Sequence, residues 1–236
     1  MILALLALGA WLAIPAGSAP AVAAVPQEES LRYNVNWPSG LSLGEAEIRA
    51  GKTKVEEAPG FQWEFSLRLE AAVPSFSVVD SHRSVATAEL CVVELEKQAQ
   101  RGKRNTKERT TFDATSGMAT RETLEGGGKS EFSIPACARD ALAFLYYVRR
   151  ELSQGRIPPS QTIFFGAPYD VRLEYGGRQT LVAGGQRTEV DRIQVTAKGK
   201  VSDTVFEVFF ALDPTRTPVL VRLPLAMGTF SMELAR

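Results

Sequence analysis

The single histidine of the chain, His82, stands in the run Asp80-Ser81-His82-Arg83, which holds the side-chain types of a hydrolase triad. Successive residues of a strand point to opposite faces. The run alone therefore cannot bring nucleophile, base and orienting acid together, and His82 is expected to be a surface strand residue. One histidine and two cysteines leave few ligands for a zinc site. The chain has no G-x-S-x-G elbow, P-loop or strand-linked G-x-G-x-x-G run. Gly126-Gly127-Gly128 has no strand-to-helix setting and reads as a flexible tip. Glu45 with Glu47, and Glu64 with Glu70, could share strand faces through the two-residue period, and glycosidases use such carboxylates in pairs across a cleft. Solvated strand faces explain these four better. No catalytic residue, metal or cofactor is assigned.

The segment Cys137 to Pro159 is more informative. Ala141, Leu145, Val148 and Leu152, with Phe144 beside them, recur at helical spacing and predict a helix over about residues 138–153 with one apolar stripe. Asp140 lies early and Arg149 late, as the helix dipole favours. Tyr146 and Tyr147 bring two phenols, at least one on the buried side, where its hydroxyl needs a partner. Gly155 and Pro158-Pro159 are stop signals. Asp140, Tyr146, Tyr147 and Arg149 are therefore candidate binding residues; helix capping and docking on a sheet is the competing role.

The elements around this helix read as strands. Leu31 to Trp37 alternates apolar and polar residues. Phe65, Leu67 and Leu69 oppose Glu64, Ser66, Arg68 and Glu70, which gives one wet and one buried face. Phe206, Val208 and Phe210 share a face further on and are candidate binding residues as well. Gly176-Gly177 and Gly184-Gly185 are read as turns. Many short strands separated by turn residues argue for antiparallel β structure, organised as one β-rich domain over residues 25–236.

Composition narrows the classes. Lys plus Arg equals Asp plus Glu at 27 each, so no basic excess favours nucleic acid. No charge precedes Glu28, and the apolar run from Met1 to Pro15 followed by Ala21-Val22-Ala23-Ala24 fits a signal peptide over residues 1–24, cleaved near 23/24. No Lys or Arg precedes that run, so a retained anchor is the alternative. A periplasmic or secreted location is expected. There an even cysteine count favours a Cys91–Cys137 disulfide, against two separate small buried residues.

These residues resemble the exported bacterial family catalogued as domain of unknown function 3108, from about Leu31 to Leu234. Its helix pattern, D-x-L-S-x-x-Y-x-x-R, reads here Asp140-x-Leu142-x-x-x-Tyr146-x-x-Arg149, with Ala143 where Ser is usual. Leu31-x-Tyr33-x-Val35-x-Trp37 with Gly44 is similar to its opening strand pair. Phe210 to Val219 resembles its strand–turn–strand, with Pro214 in place of a second Asp, and Gly228 to Leu234 resembles its last strand. The resemblance implies a mainly β fold: a strongly curved antiparallel sheet or half barrel, like that of lipoprotein carriers, with one packed α-helix. On such a fold the expected function is a non-catalytic binding module for a lipid or other hydrophobic ligand, the helix serving as plug or lid. The alternative is an envelope assembly scaffold contacting a protein or glycan through a sheet edge.

Overall fold

The computed structural model describes residues 25–54, 61–73, 76–183, 185–200, 202–225 and 228–235, so the expected leader lies outside the described residues. Eight strands come first: β1 (Glu29–Asn36), β2 (Ser42–Lys54), β3 (Phe61–Val73), β4 (Phe76–Ala86), β5 (Val92–Arg101), β6 (Arg104–Asp113), β7 (Met118–Thr123) and β8 (Lys129–Ser133). The short β9 (Arg139–Asp140) leads into α1 (Ala141–Ser153). Six strands follow: β10 (Gln161–Phe164), β11 (Pro168–Ala183), β12 (Gln186–Gly199), β13 (Asp203–Ala211), β14 (Pro218–Leu225) and β15 (Gly228–Leu234).

All fifteen described strands form one curved sheet in the order β8 to β1, then β15 to β9. Each half is a meander of chain neighbours, the β9–β10 pair alone being parallel. Antiparallel pairing of β1 with β15, Tyr33 opposite Leu234, merges the two halves. The sheet ends, β8 and β9, are consecutive in the chain. Cys91 and Cys137 form a disulfide, and the Val92 N–H donates to the Ala138 carbonyl at 2.8 Å. Both links carry β9 back against the start of β5. Curvature also brings Phe164 of β10 onto Phe112 and Phe132, and the Arg121 guanidinium onto the Gly166 carbonyl at 2.6 Å.

Strict alternation explains the two faces. Tyr33 and Val35, Ala46 and Ile48, and Trp63 and Phe65 are buried inward, while their neighbours carry outward ion pairs. Among these, Arg83 bonds Glu64 and Glu94, Arg109 bonds Glu96, and Arg68 bonds Glu70. Such solvated pairs add little stability and keep the outer face wet. Gly44 is dictated by close approach: a Cβ there would stand 1.9 Å from the Glu70 carbonyl oxygen on β3.

Three expectations shift. The helix starts at Ala141, not near 138, because Asp140 has extended backbone and acts as its N-cap. Gly176-Gly177 is no turn; β11 runs through it with a break in register between Tyr175 and Arg178, the bulge role that glycine plays inside strands. His82 is not a surface residue. It shares the inner-face phase of Ser84 and is only 5% exposed under the loop after β10. At the far end of α1, Gly155 takes φ +73° while the Arg156 N–H reaches back to the Glu151 carbonyl, the left-handed cap its position predicted.

Candidate functional site

The helix signature works as a ruler across the sheet. Ser84 on β4, Phe65 on β3, Ala50 on β2 and Glu29 on β1 lie directly opposite one another in register, so all four point inward along one row. The Asp140 carboxylate accepts from the Ser84 hydroxyl at 2.6 Å and from the N–H groups of Leu142 and Ala143. Tyr146 stacks on Phe65 with ring centroids 4.4 Å apart. Arg149 makes a two-pronged ion pair with Glu29 and donates from Nε to the Thr215 carbonyl at 2.9 Å. Nine residues of helix advance about 13.5 Å, and the three spacings from β4 to β1 cover about 14 Å. The Asp-to-Arg interval thus matches the width of the four strands it crosses.

Burial shapes the chemistry of this row. Asp140 is 1% exposed, and desolvation raises its pKa despite the hydrogen bonds that oppose the rise. Burial likewise pushes the Tyr33 and Tyr146 phenols upward. The Tyr33 hydroxyl donates to the Pro218 carbonyl at 2.8 Å, while the buried Tyr146 hydroxyl lies beside the Glu29–Arg149 pair without a well-formed hydrogen bond. Burial works against the charge on Arg149, but the Glu29 carboxylate outweighs it and holds the guanidinium above its ordinary value. Asp140, Tyr146 and Arg149 are all buried against the sheet. Together they clamp the helix.

A different face of α1 borders open space. Ala141, Phe144, Leu145 and Val148 look toward the inner wall of β10 to β14 across a cavity of about 480 Å³. Phe206, Val208 and Phe210 line it, as the strand phase suggested, joined by Val171, Ile193 and Val195. Among the described lining residues no side chain is charged, and hydroxyls come only from Tyr33, Tyr169 and Thr204. The space follows from residue choice. Against the clamp face, Tyr33, Trp63, Phe65 and Tyr146 fill the interior with large rings. The opposite wall carries mainly short or β-branched side chains such as Val171, Val195, Ala197 and Val208, which join Phe144 and Val148 of the helix in one apolar cluster without filling the space between them. At the rim Phe165 is 43% exposed, and Phe206, Leu223 and Met232 are half-buried.

Of the residues singled out from sequence, three thus line the cavity and three form the clamp. Tyr147 sits on a third side of the helix, with the guanidinium groups of Arg139 and Arg150 over its ring. Sequence reasoning missed Glu29 and Ser84. Both signals were present: Glu29 is in phase with Leu31, Tyr33 and Val35, and an acid on an apolar phase requires a buried partner.

His82 gives the rim a pH signature. Its ring stacks on Phe165 at 4.9 Å, and Lys97 lies over the same Phe165 ring. Burial, then the Lys97 charge, lowers its pKa from 6.5 to about 4. The folded state thus binds a proton less readily than the unfolded chain. Stability from this site is complete above pH 6.5 and is lost as pH falls toward 4, by about 3 kcal/mol in all. Denaturant unfolding at pH 7 and pH 4 should show that much more acid loss in the wild type than in His82→Phe. Equal losses would mean the imidazole is not held neutral by its surroundings.

No curated protein matches the chain. Among solved structures, it resembles a β-barrel-like protein of domain of unknown function DUF1849 from Brucella abortus, with a TM-score of 0.60 and 8% identity over 88% of this chain and 95% of that one. At that identity the likeness concerns the fold: a curved sheet of the same kind. The family model described as protein of unknown function (DUF3108) matches residues 32–235, and the chain belongs to that family.

Proposed function

We propose that this protein is a non-catalytic carrier or binding module for a hydrophobic ligand, holding one acyl chain in the cavity between α1 and the inner wall of β10 to β14. The supporting observation is the cavity itself: about 480 Å³, uncharged, with an apolar rim, within the roughly 300–1,000 Å³ of small-molecule sites. A methylene is comparable in bulk to a water molecule at about 30 Å³, so the volume suits one long chain and not two. At about 0.8 kcal/mol per buried methylene, burying roughly ten of them corresponds to micromolar affinity. The Cys91–Cys137 bond supports an oxidising compartment, periplasmic or extracellular, in keeping with the apolar N-terminal run.

Val208 is 7% exposed and faces the cavity. In Val208→Trp the indole occupies ligand space. Titration with a fluorescent long-chain fatty acid should give one-to-one binding to the wild type and binding at least about tenfold weaker to the variant. A thermal melt on the same samples checks that folding is retained, and Val195→Phe serves as an independent plug. Equal binding by wild type and both plugged variants, or none by the wild type, would contradict the reading.

A further inference from the structure

The third face of α1, used neither by the clamp nor by the cavity, gathers two guanidinium groups around one aromatic ring. The guanidinium of Arg139, on β9, lies 3.9 Å from the centroid of the Tyr147 ring, and that of Arg150 lies 5.3 Å from it. Neither makes a salt bridge with a described residue. The nearby carboxylate, Glu151, is engaged by Arg156 at 2.7 Å. Arg139 donates from Nη1 to the Gln161 amide oxygen at 2.9 Å, but its Nε is buried without an acceptor. Burial is the main reason its pKa lies below the ordinary guanidinium value, and the like charge of Arg150 adds to the effect, against the pull of Tyr147 and Glu151.

Two features therefore favour an anion at this face. A buried donor without an acceptor costs the desolvation of that group, and two neighbouring cations repel unless an anion lies between them. The planar guanidinium fork matches the geometry of phosphate oxygens, and the Tyr147 ring gives both forks a flat surface to rest on. We propose that the Arg139–Tyr147–Arg150 face is a binding site for a phosphate-type oxyanion, borne by a free phosphate compound or by the headgroup of an anionic lipid. This site is separate from the acyl-chain cavity and stands or falls independently of it.

The test titrates the full chain with inorganic phosphate while following the arginine side-chain N–H and tyrosine ring NMR signals. In parallel, the protein is floated with vesicles of phosphatidylcholine, with and without phosphatidylglycerol. Saturable shifts at Arg139, Tyr147 and Arg150 are expected, weaker by about tenfold in Arg150→Gln and absent in Arg139→Gln/Arg150→Gln. Arg150 is half-buried, so Arg150→Gln decides the matter if the double variant folds poorly. Flotation with phosphatidylglycerol vesicles that the double variant loses identifies a lipid headgroup. Phosphate shifts without flotation identify a soluble phosphate ligand. The proposal is overturned if phosphate leaves these signals unmoved in the wild type, or moves them equally in Arg150→Gln.

Discussion

Replacing Arg149 with Met is expected to lower the unfolding free energy by about 3–5 kcal/mol, the range for stripping a buried charge of its partner. Arg149 has no solvent exposure, and the Glu29 side chain is 10% exposed. Losing the guanidinium strands the Glu29 carboxylate in the interior and leaves the Thr215 carbonyl without its donor. The effect is large because one side chain joins three parts of the chain: the start of β1, the β13–β14 turn and α1. The ion pair itself need not be strongly stabilising, since desolvation offsets much of its attraction. Glu29→Leu/Arg149→Met is therefore expected to recover most of the loss, and a double-mutant cycle in urea reads the coupling directly. Losses that simply add would show that the two residues do not act as a pair.

The second large effect belongs to the disulfide. Cys91 and Cys137 are 46 residues apart, and opening a loop of that length costs about 4 kcal/mol when the unfolded chain regains its entropy. Cys91→Ala/Cys137→Ala should lose stability on that scale in urea, and the wild type in reductant should match it. The bond holds the approach to α1 against the start of β5, so the loss should be greatest where the sheet ends meet. Hydrogen exchange should rise first at the Val92 amide, which donates to the Ala138 carbonyl at 2.8 Å. Unchanged stability in reductant would mean that the Val92–Ala138 contact and the Phe164 cluster hold that seam without the cross-link.

Most strands were legible because alternation is local. The phases of Leu31 to Trp37, Phe65 to Leu69 and Phe206 to Phe210 read correctly as inner and outer faces. Local pattern failed where a distant segment supplies the cover. His82 looked like a surface residue because the loop carrying Phe165, which buries it, lies more than eighty residues away in the chain. Gly176-Gly177 looked like a turn because glycine marks both turns and bulges, and only the register of β12 distinguishes them. The helix showed its cavity stripe in sequence, yet the clamp stripe was hidden. Asp140 and Arg149 suit the ends of any helix, so their part in spanning four strands emerges only when Ser84 and Glu29 are seen in one row. The cavity was half legible: Phe206, Val208 and Phe210 marked one wall, but free volume depends on how far short side chains fall from the helix. No strand pattern contains that distance.

The most direct measurement is an NMR structure of the wild-type protein with an isotope-labelled long-chain fatty acid. Magnetisation transfer from the chain methylenes to the methyl groups of Val195, Val208 and Ile193 and to the Phe144 ring is the predicted result, with the clamp contacts of Asp140 and Arg149 undisturbed. Transfer confined to outer-face residues, or no bound fatty acid at all, would contradict an acyl chain held between α1 and the inner wall of the sheet.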